Sequence, residues 1–416
     1  MLKNMKKIVA LLLAFLLLLG MVACGRDVED SADTTAESET SAPTPAPTPT
    51  PTPDAEGEGE GEGEGNGEGE GKDEGTTVTT TTTALNAQTV GIKLLGGRTV
   101  ATDSQINLDH SGSGIEFVLR NSGRSLAFEV ISSAACRFKV FVDGELCKTI
   151  SGEAFFEVNG KSLISVGSVP MGNHTVRLVR ITDQAVATAQ VTKVTYTGII
   201  SADTPDNNDL YIEFIGGTEA VGGEDVTSAY SYKLAEAMKA DYAIVSMLTA
   251  VTGADDLSAR YTKTAVKRDA AAEHGFARKA DVVVIDLGAL DVENADTEAF
   301  TAKYKSLVDV IRAKNGEDCK IVCVYRWNFG ELGNAIQTLC RETLGGQQDG
   351  VYLCQMVVGE DLVLDATEAA EFVTTLQGVV DAAVKGIITE QELDAEESGD
   401  GLVADFNTFV PLGTKG

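Results

Sequence analysis

The pattern of apolar and polar positions predicts two different folded regions along the chain. Between residues 85 and 200, short runs that alternate apolar and polar side chains are separated by Gly, Asn, Asp and Ser. Such alternation predicts antiparallel strands with one buried face, at intervals typical of a β-sandwich. The predicted strands cover residues 114–119, 126–131, 138–142, 155–158, 174–179 and 190–196.

From residue 211 onward, short and strongly apolar runs alternate with stretches of helical periodicity. One helix face is marked by Phe300, Tyr304, Leu307, Val308 and Ile311. Strands that alternate with helices predict a parallel sheet with helices packed on both faces. The predicted strands cover 211–215, 242–248, 281–287, 320–325 and 351–358, and the other predicted helices cover 227–238, 332–344 and 366–385.

The N-terminus has the pattern of an export signal. Three lysines precede an unbroken apolar stretch, residues 8–19, which is shorter than the about 20 residues that a membrane span needs. Ala23-Cys24 follows, and a small residue directly before a cysteine here resembles the lipobox of bacterial lipoproteins. The resemblance implies lipidation of Cys24 and a lipid anchor on the extracellular face of the bacterial cell membrane. The alternative is an ordinary cleaved signal peptide with an incidental cysteine.

Residues 24–84 have the composition of a disordered stalk. Pro-Thr alternation, Glu-Gly repeats and a threonine run follow one another, and none of them can bury a hydrophobic core. The chain carries 63 Asp and Glu against 33 Lys and Arg, and 16 of the acids but only two of the bases lie within residues 25–76. The net charge of −30 argues against a nucleic-acid partner, which needs a basic surface.

These patterns predict five segments. A signal peptide (1–23) precedes the stalk (24–84), a β-sandwich domain (85–200), an α/β domain (208–386) and an acidic C-terminal tail (387–416). Within the tail, residues 402–412 form one apolar segment.

The cysteines other than Cys24 are predicted to be free thiols. Cys136 and Cys147 flank a hairpin with a two-residue turn, Asp143-Gly144. In that register Val140 faces Cys147, so Cys136 lies about 13 Å away. A disulfide needs Cα atoms within about 7 Å. No pair has the CxxC or histidine-rich spacing of a metal site, and we predict neither metal nor cofactor.

Several segments resemble the conserved blocks of SGNH (GDSL-like) hydrolases. Residues 211–216 and 281–291 are similar to the first and third blocks, and residues 241–246 are similar to the second strand. The upstream domain resembles the jelly roll that precedes the hydrolase domain in family 2 carbohydrate esterases. That similarity rests on Gly97-Arg98 and on residues 111–115, 141–144 and 172–178.

The resemblance covers about residues 90–385, in the same domain order. It implies a jelly-roll-like β-sandwich followed by a three-layer α/β sandwich with a parallel, flavodoxin-like sheet. That family removes acetyl groups from plant polysaccharides with a serine nucleophile and a histidine base.

The residues that carry catalysis in that family are replaced here. The first block, Gly-Asp-Ser, reads Gly216-Gly217-Thr218, so threonine takes the nucleophile position. The glycine of the second block falls near Thr249. The oxyanion asparagine of the third block is Leu290, and the histidine of the last block is Glu368.

Such replacements remove the chemistry that the family needs. An unactivated threonine hydroxyl is a poor nucleophile near neutral pH. Loss of the nucleophile or the base of such a triad lowers turnover by up to ~10⁶. Loss of one oxyanion donor lowers it by a further ~10²–10³. The sequence therefore predicts a fold that is retained without its catalytic groups.

Three interpretations of the function remain open. In the preferred one, the esterase-like fold is a binding or scaffold module at the cell surface, for a cell-wall or dietary polysaccharide or a surface protein. Its predicted pocket contains Thr218, Glu219, Asp291 and Trp327. The second is an active carbohydrate esterase that uses Thr218 with a displaced base such as His274. The third is a purely structural component of the envelope.

A cation site near the predicted pocket is a further alternative. Acidic side chains follow several predicted strands and would meet at the carboxyl edge of the sheet if they converged. The preferred interpretation is that they are separate helix caps and solvated acids. The acids in question are Glu219, Glu224, Asp225, Asp286 and Asp291.

Overall fold

The computed structural model describes residues 79–167, 169–183, 185–265, 272–358 and 364–388. The predicted signal peptide, the lipidation site Cys24, most of the predicted stalk and residues 389–416 of the tail lie outside this range, as do the side chains of Arg124, Asn294 and Trp327. No helix within these residues is both long and apolar enough to cross a membrane.

Antiparallel strands form the first domain. They pair into one nine-stranded sheet and enclose a core that includes Phe117, Phe128 and Phe138. The antiparallel pairing agrees with the prediction, and the jelly-roll arrangement stays a prediction. The strands are β1 (Thr80–Ala84), β2 (Lys93–Leu95), β3 (Val100–Ala101), β4 (Ile106–Asn107), β5 (Gly114–Val142), β6 (Glu145–Leu146), β7 (Phe156–Val166), β8 (Gly172–Arg180) and β9 (Ala189–Ile200).

Three of the predicted strands are one continuous strand, the 29-residue β5. Its register against the neighbouring strands shifts between Asn121 and Leu126 and between Ser132 and Cys136. A β-bulge bends a strand and increases its twist without ending it. The Gly and Ser residues that suggested turns therefore mark bulges, through which β5 changes partners.

The folded region begins earlier than predicted, because the threonine run belongs to it. Thr80–Ala84 pairs antiparallel with β9, and the hydroxyls of Thr82 and Thr195 lie 3.0 Å apart. Threonine is β-branched and fits a pleated strand well. The prediction that the disordered stalk extends to residue 84 is wrong for these last residues.

A five-stranded parallel sheet forms the second domain, in the order β11-β10-β12-β13-β14. Its strands are β10 (Tyr211–Gly216), β11 (Asp241–Ser246), β12 (Val282–Asp286), β13 (Lys320–Arg326) and β14 (Val351–Met356). Its helices are α1 (Thr218–Val221), α2 (Tyr230–Ala237), α3 (Leu257–Tyr261), α4 (Thr297–Asn315), α5 (Glu331–Thr338) and α6 (Ala366–Val384).

Separate hydrophobic cores cover the two faces of this sheet. One packs α3, α4 and α5 against alternate strand residues, and the other packs α2 and α6 against the remaining ones. The five residues predicted to mark the inner face of α4 are all buried. The prediction of a parallel sheet with helices on both faces is therefore confirmed.

A buried ion pair joins the two domains. Arg98 follows β2, and its Nη2 lies 3.2 Å from Glu213 Oε1 on β10, with both side chains at most 1 % exposed. Glu213 also accepts hydrogen bonds from the hydroxyls of Tyr211 and Tyr261. The turn before Arg98 needs glycine, because a Cβ on Gly97 would lie 2.2 Å from the Tyr211 hydroxyl at a φ of +58°.

His110 packs at the same junction and makes stability depend on pH. Its Nε2–H donates to the Thr264 carbonyl at 2.9 Å. Burial, with further contributions from Arg98, Arg180 and His274, lowers the pKa of His110 to about 3. In the unfolded chain histidine binds a proton near pH 6.5. The unfolded state therefore binds more protons between these two values, and stability falls as the pH drops below about 6.5.

We expect the free energy of unfolding of the wild-type protein to be about 2–3 kcal/mol lower at pH 4.5 than at pH 7 because of the His110 imidazole. His110→Gln should remove that part of the pH dependence, as measured by urea unfolding at the two pH values. His174 is the control with the opposite sign, because its hydrogen bond to Asp143 raises its pKa. An unchanged difference between pH 7 and 4.5 in His110→Gln would contradict the assignment.

The thiols of the described residues are all unpaired. Cys136, Cys319, Cys323, Cys340 and Cys354 are buried, and Cys147 is half-buried. The predicted hairpin register is confirmed, since the N–H of Cys147 donates to the Val140 carbonyl at 2.8 Å. We expect thiol titration of denatured, unreduced Cys24→Ala protein to give six free groups. A count of four or fewer would mean that a disulfide forms in the mature protein.

Candidate functional site

The loops that follow the parallel strands meet at one edge of the α/β sheet. Gly216, at the end of β10, pairs in register with Ser246 of β11 and Asp286 of β12. In open α/β sheets, ligands bind outside this carboxyl edge. The edge therefore brings Thr218, Thr249 and Leu290 into one region, as the strand order requires.

Thr218 begins the four-residue α1, and its side chain is exposed. The glycine before this turn is sterically required, because a Cβ on Gly216 would lie 2.7 Å from the Ala220 Cβ. Gly217, where the resembling family has aspartate, faces open space instead. The turn thus requires glycine at position 216 and has room for a larger side chain at position 217.

The three histidines contact groups other than Thr218. His110 donates to the Thr264 carbonyl, and His174 Nδ1 lies 2.7 Å from Asp143 Oδ2 in the β domain. The His274 ring packs edge-on against Phe276, with centroids 4.5 Å apart. Burial and the nearby Arg98 lower the pKa of His274 to about 4. Each ring is thus held by contacts other than Thr218.

Glu368, which the sequence analysis predicts to replace the family's histidine, caps a helix. The Asp365 carboxylate accepts from the N–H groups of Thr367 and Glu368, and Glu368 Oε2 accepts from the Asp365 N–H at 2.9 Å. This reciprocal pair is a capping box at the start of α6. Glu368 therefore satisfies a backbone group at the helix start.

Asp291 anchors the neighbouring loop. Its carboxylate accepts from the N–H groups of Val251 and Thr252, each at 2.9 Å, and from the Thr252 hydroxyl at 2.7 Å. The side chain is only 2 % exposed. Asp291 thus fixes the loop that contains half-buried Thr249, whereas its neighbour Leu290 points into solvent and is 61 % exposed.

The glycine nearest to the second-block position uses its N–H within the loop. Gly253 donates to the Ala250 carbonyl at 3.0 Å, and its own carbonyl accepts from Lys303. An N–H engaged in this turn is not directed at a bound ligand. The same loop therefore offers no oxyanion donor from Gly253 in this conformation.

A buried ion pair that the sequence analysis missed lies beneath the edge. Arg326, the last residue of β13, places Nη2 3.2 Å from Asp286 Oδ1. The Tyr230 hydroxyl donates to the same carboxylate at 3.2 Å. Burial and then the Asp286 charge raise the pKa of Tyr230 well above its usual value. A charged residue ending an apolar strand was the only available signal in the sequence.

The acids considered for a cation site are dispersed. Glu224 pairs with Arg137 at 2.6 Å and Asp225 with Lys139 at 2.7 Å, both across the domain junction. Glu219 is half-buried in the first turn of α1. Across the described ranges, no three Cys, His, Asp or Glu side chains are grouped to hold a metal ion.

Of the predicted pocket residues, Thr218 and Glu219 follow β10 at the edge, and Asp291 is buried below it. Trp327 directly follows β13, and its side chain lies outside the described residues. The loops after β10 and β12 follow strands that end at the same edge, and Asp291 holds the loop of residues 251–252 in place; the shared pocket stays a prediction.

Comparisons with known proteins identify the fold. A family 2 carbohydrate esterase from Clostridium thermocellum, in complex with cellohexaose, is similar over 71 % of this chain and 100 % of its own, with a TM-score of 0.63 and 19 % identity. An acetyl xylan esterase from the rumen bacterium Butyrivibrio proteoclasticus is similar over 74 % of this chain and 100 % of its own, with a TM-score of 0.62 and 15 % identity.

A third similar structure is that of a carbohydrate esterase whose active site displays divergent catalytic and non-catalytic binding functions. It is similar over 70 % of this chain and 97 % of its own, with a TM-score of 0.54 and 18 % identity. No family model and no curated protein matches the sequence. The chain therefore has an SGNH-type fold like that of family 2 carbohydrate esterases.

Proposed function

We propose that the protein is a non-catalytic binding module built on an SGNH-type fold and held at the outer face of the cell membrane by a lipid on Cys24. One observation carries the proposal: Thr218 is exposed, each of the three histidines contacts other groups, and Glu368 is committed to the cap of α6. A hydroxyl that no base deprotonates attacks an ester slowly at neutral pH.

The proposed ligand is a polysaccharide. Two structurally similar proteins support this choice, one described in complex with cellohexaose and one described as having non-catalytic binding functions at a carbohydrate esterase active site. The carboxyl edge of the sheet is the corresponding surface here. Hydrogen bonds of Asp291 hold residues 251 and 252 of one of its loops, and the cap at Asp365 fixes the start of α6.

The test is a glycan array followed by titration calorimetry with full-length Cys24→Ala protein. We expect binding to an extended plant or cell-wall polysaccharide and a loss of about tenfold or more in affinity for Leu290→Asp. The matched control is Leu163→Asp, because Leu163 on β7 is also 61 % exposed. Binding that Leu163→Asp weakens and Leu290→Asp does not, or no polysaccharide binding at all, would refute the proposal.

Anchoring through Cys24 has its own test. Cys24→Ala should move the protein from the membrane fraction to the soluble fraction and abolish labelling by a clickable fatty acid, because the thiol carries the lipid. Cys147→Ala is the control, since that half-buried thiol should not change the location. Wild-type protein that is soluble and unlabelled would contradict the anchor.

A further inference from the structure

A groove between α4 and α5 opens to solvent on one side of the α/β domain. Its volume is about 650 Å³, and its lining is mostly apolar, with contributions from Ala302, Ala335 and Leu339. The Thr301 hydroxyl, also in the lining, is turned back onto α4 and donates to the Thr297 carbonyl at 2.8 Å. We call this surface the α4–α5 groove. A groove of this size and polarity can take up aliphatic side chains of another molecule.

Two carboxylates lie at one end of the α4–α5 groove. Glu298 and Glu331 belong to its lining, and each occupies the first turn of its helix. Because α4 follows β12 and α5 follows the parallel strand β13, the two first turns lie at the same end. Within the described residues, neither carboxylate has a hydrogen-bond or ion-pair partner. Lys305, the other charged residue of the lining, is paired with Asp309 at 2.7 Å, so the groove is net negative.

The end of α6 presents exposed aliphatic side chains, which we call the aliphatic knob. Its members are Val384, Ile387 and Ile388, with 49 %, 42 % and 55 % of their surfaces exposed. The Gly386 N–H donates to the Ala383 carbonyl at 3.1 Å, and the next N–H donates to the Ala382 carbonyl at 2.9 Å. This pair of bonds is a Schellman motif, in which Gly386 has the left-handed φ of +63°. The aliphatic knob therefore has a defined shape before it meets a partner.

The aliphatic knob and the α4–α5 groove of one chain lie on opposite sides of the sheet. Helices α4 and α5 pack against one face of the sheet, and α6 packs against the other. The knob of a chain therefore cannot enter the groove of the same chain, whereas a second copy can supply it.

The charges of the two surfaces are complementary. Lys385 lies in the aliphatic knob between Val384 and Gly386, is exposed, and has no acidic partner within the described residues. The nearest acid in the sequence, Asp381, lies one turn earlier and is half-buried. A cation beside aliphatic side chains therefore matches an apolar groove that ends in two unpaired carboxylates.

We propose that the aliphatic knob of one copy docks into the α4–α5 groove of a second copy, with Lys385 facing Glu298 and Glu331 of that copy. Docking removes aliphatic surface from water and brings opposite charges together. The contact joins two different surfaces, so each copy keeps one free knob or groove, and copies associate head to tail into rows or rings. A row would present several binding edges to one polysaccharide and raise its avidity. That consequence rests on the proposed function, whereas the docking itself does not.

The test is photo-cross-linking between two isotopically distinct forms of full-length Cys24→Ala protein. Three half-exposed side chains form a contact far smaller than the about 1,200 Å² of a stable interface, so we expect a Kd near about 1 mM and use that protein concentration. Light protein with Val384→benzoylphenylalanine should cross-link to α4 or α5 peptides of heavy protein, as identified by mass spectrometry. The matched control is Val186→benzoylphenylalanine in the β domain, because Val186 is also 49 % exposed. Its yield should be about tenfold lower or less.

Charge reversal tests the pairing of the two surfaces. Glu298→Lys/Glu331→Lys in the heavy protein should lower the cross-link yield about fivefold or more, because like charges then face each other. Adding Lys385→Glu to the light protein should restore the yield. All three positions are exposed, so thermal melting should show that each variant is folded.

Several results would overturn the proposal. They are equal yields from positions 384 and 186, cross-links that stay within the light chain, including those to residues 389–416, and cross-links to heavy peptides outside α4 and α5. Charge reversal without an effect, or without rescue by Lys385→Glu, would overturn it as well. If cross-linking succeeds and the protein binds no polysaccharide, the proposed function fails and the self-association stands.

Discussion

The purified protein should hydrolyse neither nitrophenyl acetate nor acetylated xylan above the uncatalysed rate. Thr218 is exposed, each histidine contacts other groups, and Glu368 caps a helix, while the resemblance predicts that Leu290 replaces an oxyanion donor. Loss of the base alone accounts for a deficit of up to ~10⁶ in turnover relative to an intact site. The measurement is initial rate against substrate concentration at pH 7 for protein and buffer blanks.

Single substitutions at Thr218 should leave this result unchanged. Thr218→Ala removes a hydroxyl that no base activates, and Thr218→Ser adds a better nucleophile without a base or an oxyanion donor. Saturable turnover that disappears in Thr218→Ala would overturn the non-catalytic assignment and establish the esterase alternative. Turnover that disappears in His274→Ala instead would point to a displaced base.

A variant that restores several of the family's catalytic residues also tests the non-catalytic assignment. Gly217→Asp has open space around its new Cβ, and Leu290→Asn replaces an exposed side chain. With Thr218→Ser and Glu368→His added, the predicted residues of the first, third and last blocks are restored, and the second-block position near Thr249 stays as it is. We expect measurable esterase activity only in this fourfold variant, at a stability loss of about 1 kcal/mol from the capping box. Activity in the variant without Glu368→His would contradict the requirement for a base at this position.

The buried pair between the domains should have the largest effect on stability. Arg98→Ala leaves the Glu213 carboxylate buried without its cation, and such a charge destabilises a protein by about 3–5 kcal/mol. The double variant Arg98→Met/Glu213→Gln should recover part of that loss, because the buried group is then neutral and its amide oxygen still accepts from one of the two tyrosine hydroxyls that bind separate oxygens of Glu213. Urea unfolding at pH 7 measures the free energies.

The exposed pair Arg137–Glu224 is the control for this prediction. It also joins the two domains, but the Glu224 side chain is 85 % exposed. An exposed ion pair contributes at most about 1 kcal/mol, so Glu224→Gln should change the unfolding midpoint little. Equal losses for Arg98→Ala and Glu224→Gln would mean that burial of the Arg98 pair has no energetic consequence.

Apolar runs and helical periodicity were sufficient to predict the α/β domain. Strands such as Val282–Asp286 are buried on both sides, so their sequences are almost continuously apolar. Such runs are easily recognised as strands from the sequence. The inner face of α4 and the Asp143-Gly144 hairpin were predictable for the same local reason. The joining of three predicted strands into β5 was not, because whether a Gly-Ser stretch turns or bulges depends on partner strands distant in sequence.

The edge of the sheet was predictable only in part. The sequence located the loops of Thr218 and Leu290, because parallel strands end at a common edge. The ion pair of Arg326 with Asp286 depends on two strands separated by a helix, and no local pattern links them. The role of Glu368 was available in principle, since Asp365-Ala-Thr-Glu368 is itself a capping-box pattern.

The pairing of β1 with β9 determines how the fold would respond to a pulling force. Thr80, the first residue of β1, lies beside Thr197, close to the point where β9 leads into the α/β domain. With the α/β domain held by a ligand, tension would act on one end of this antiparallel ladder and open its five rungs one after another. Peeling would release about 17 Å of additional chain before the rest of the β domain carried load. If the proposed lipid anchor and ligand binding both hold, β1 would be the first strand to detach under tension between them.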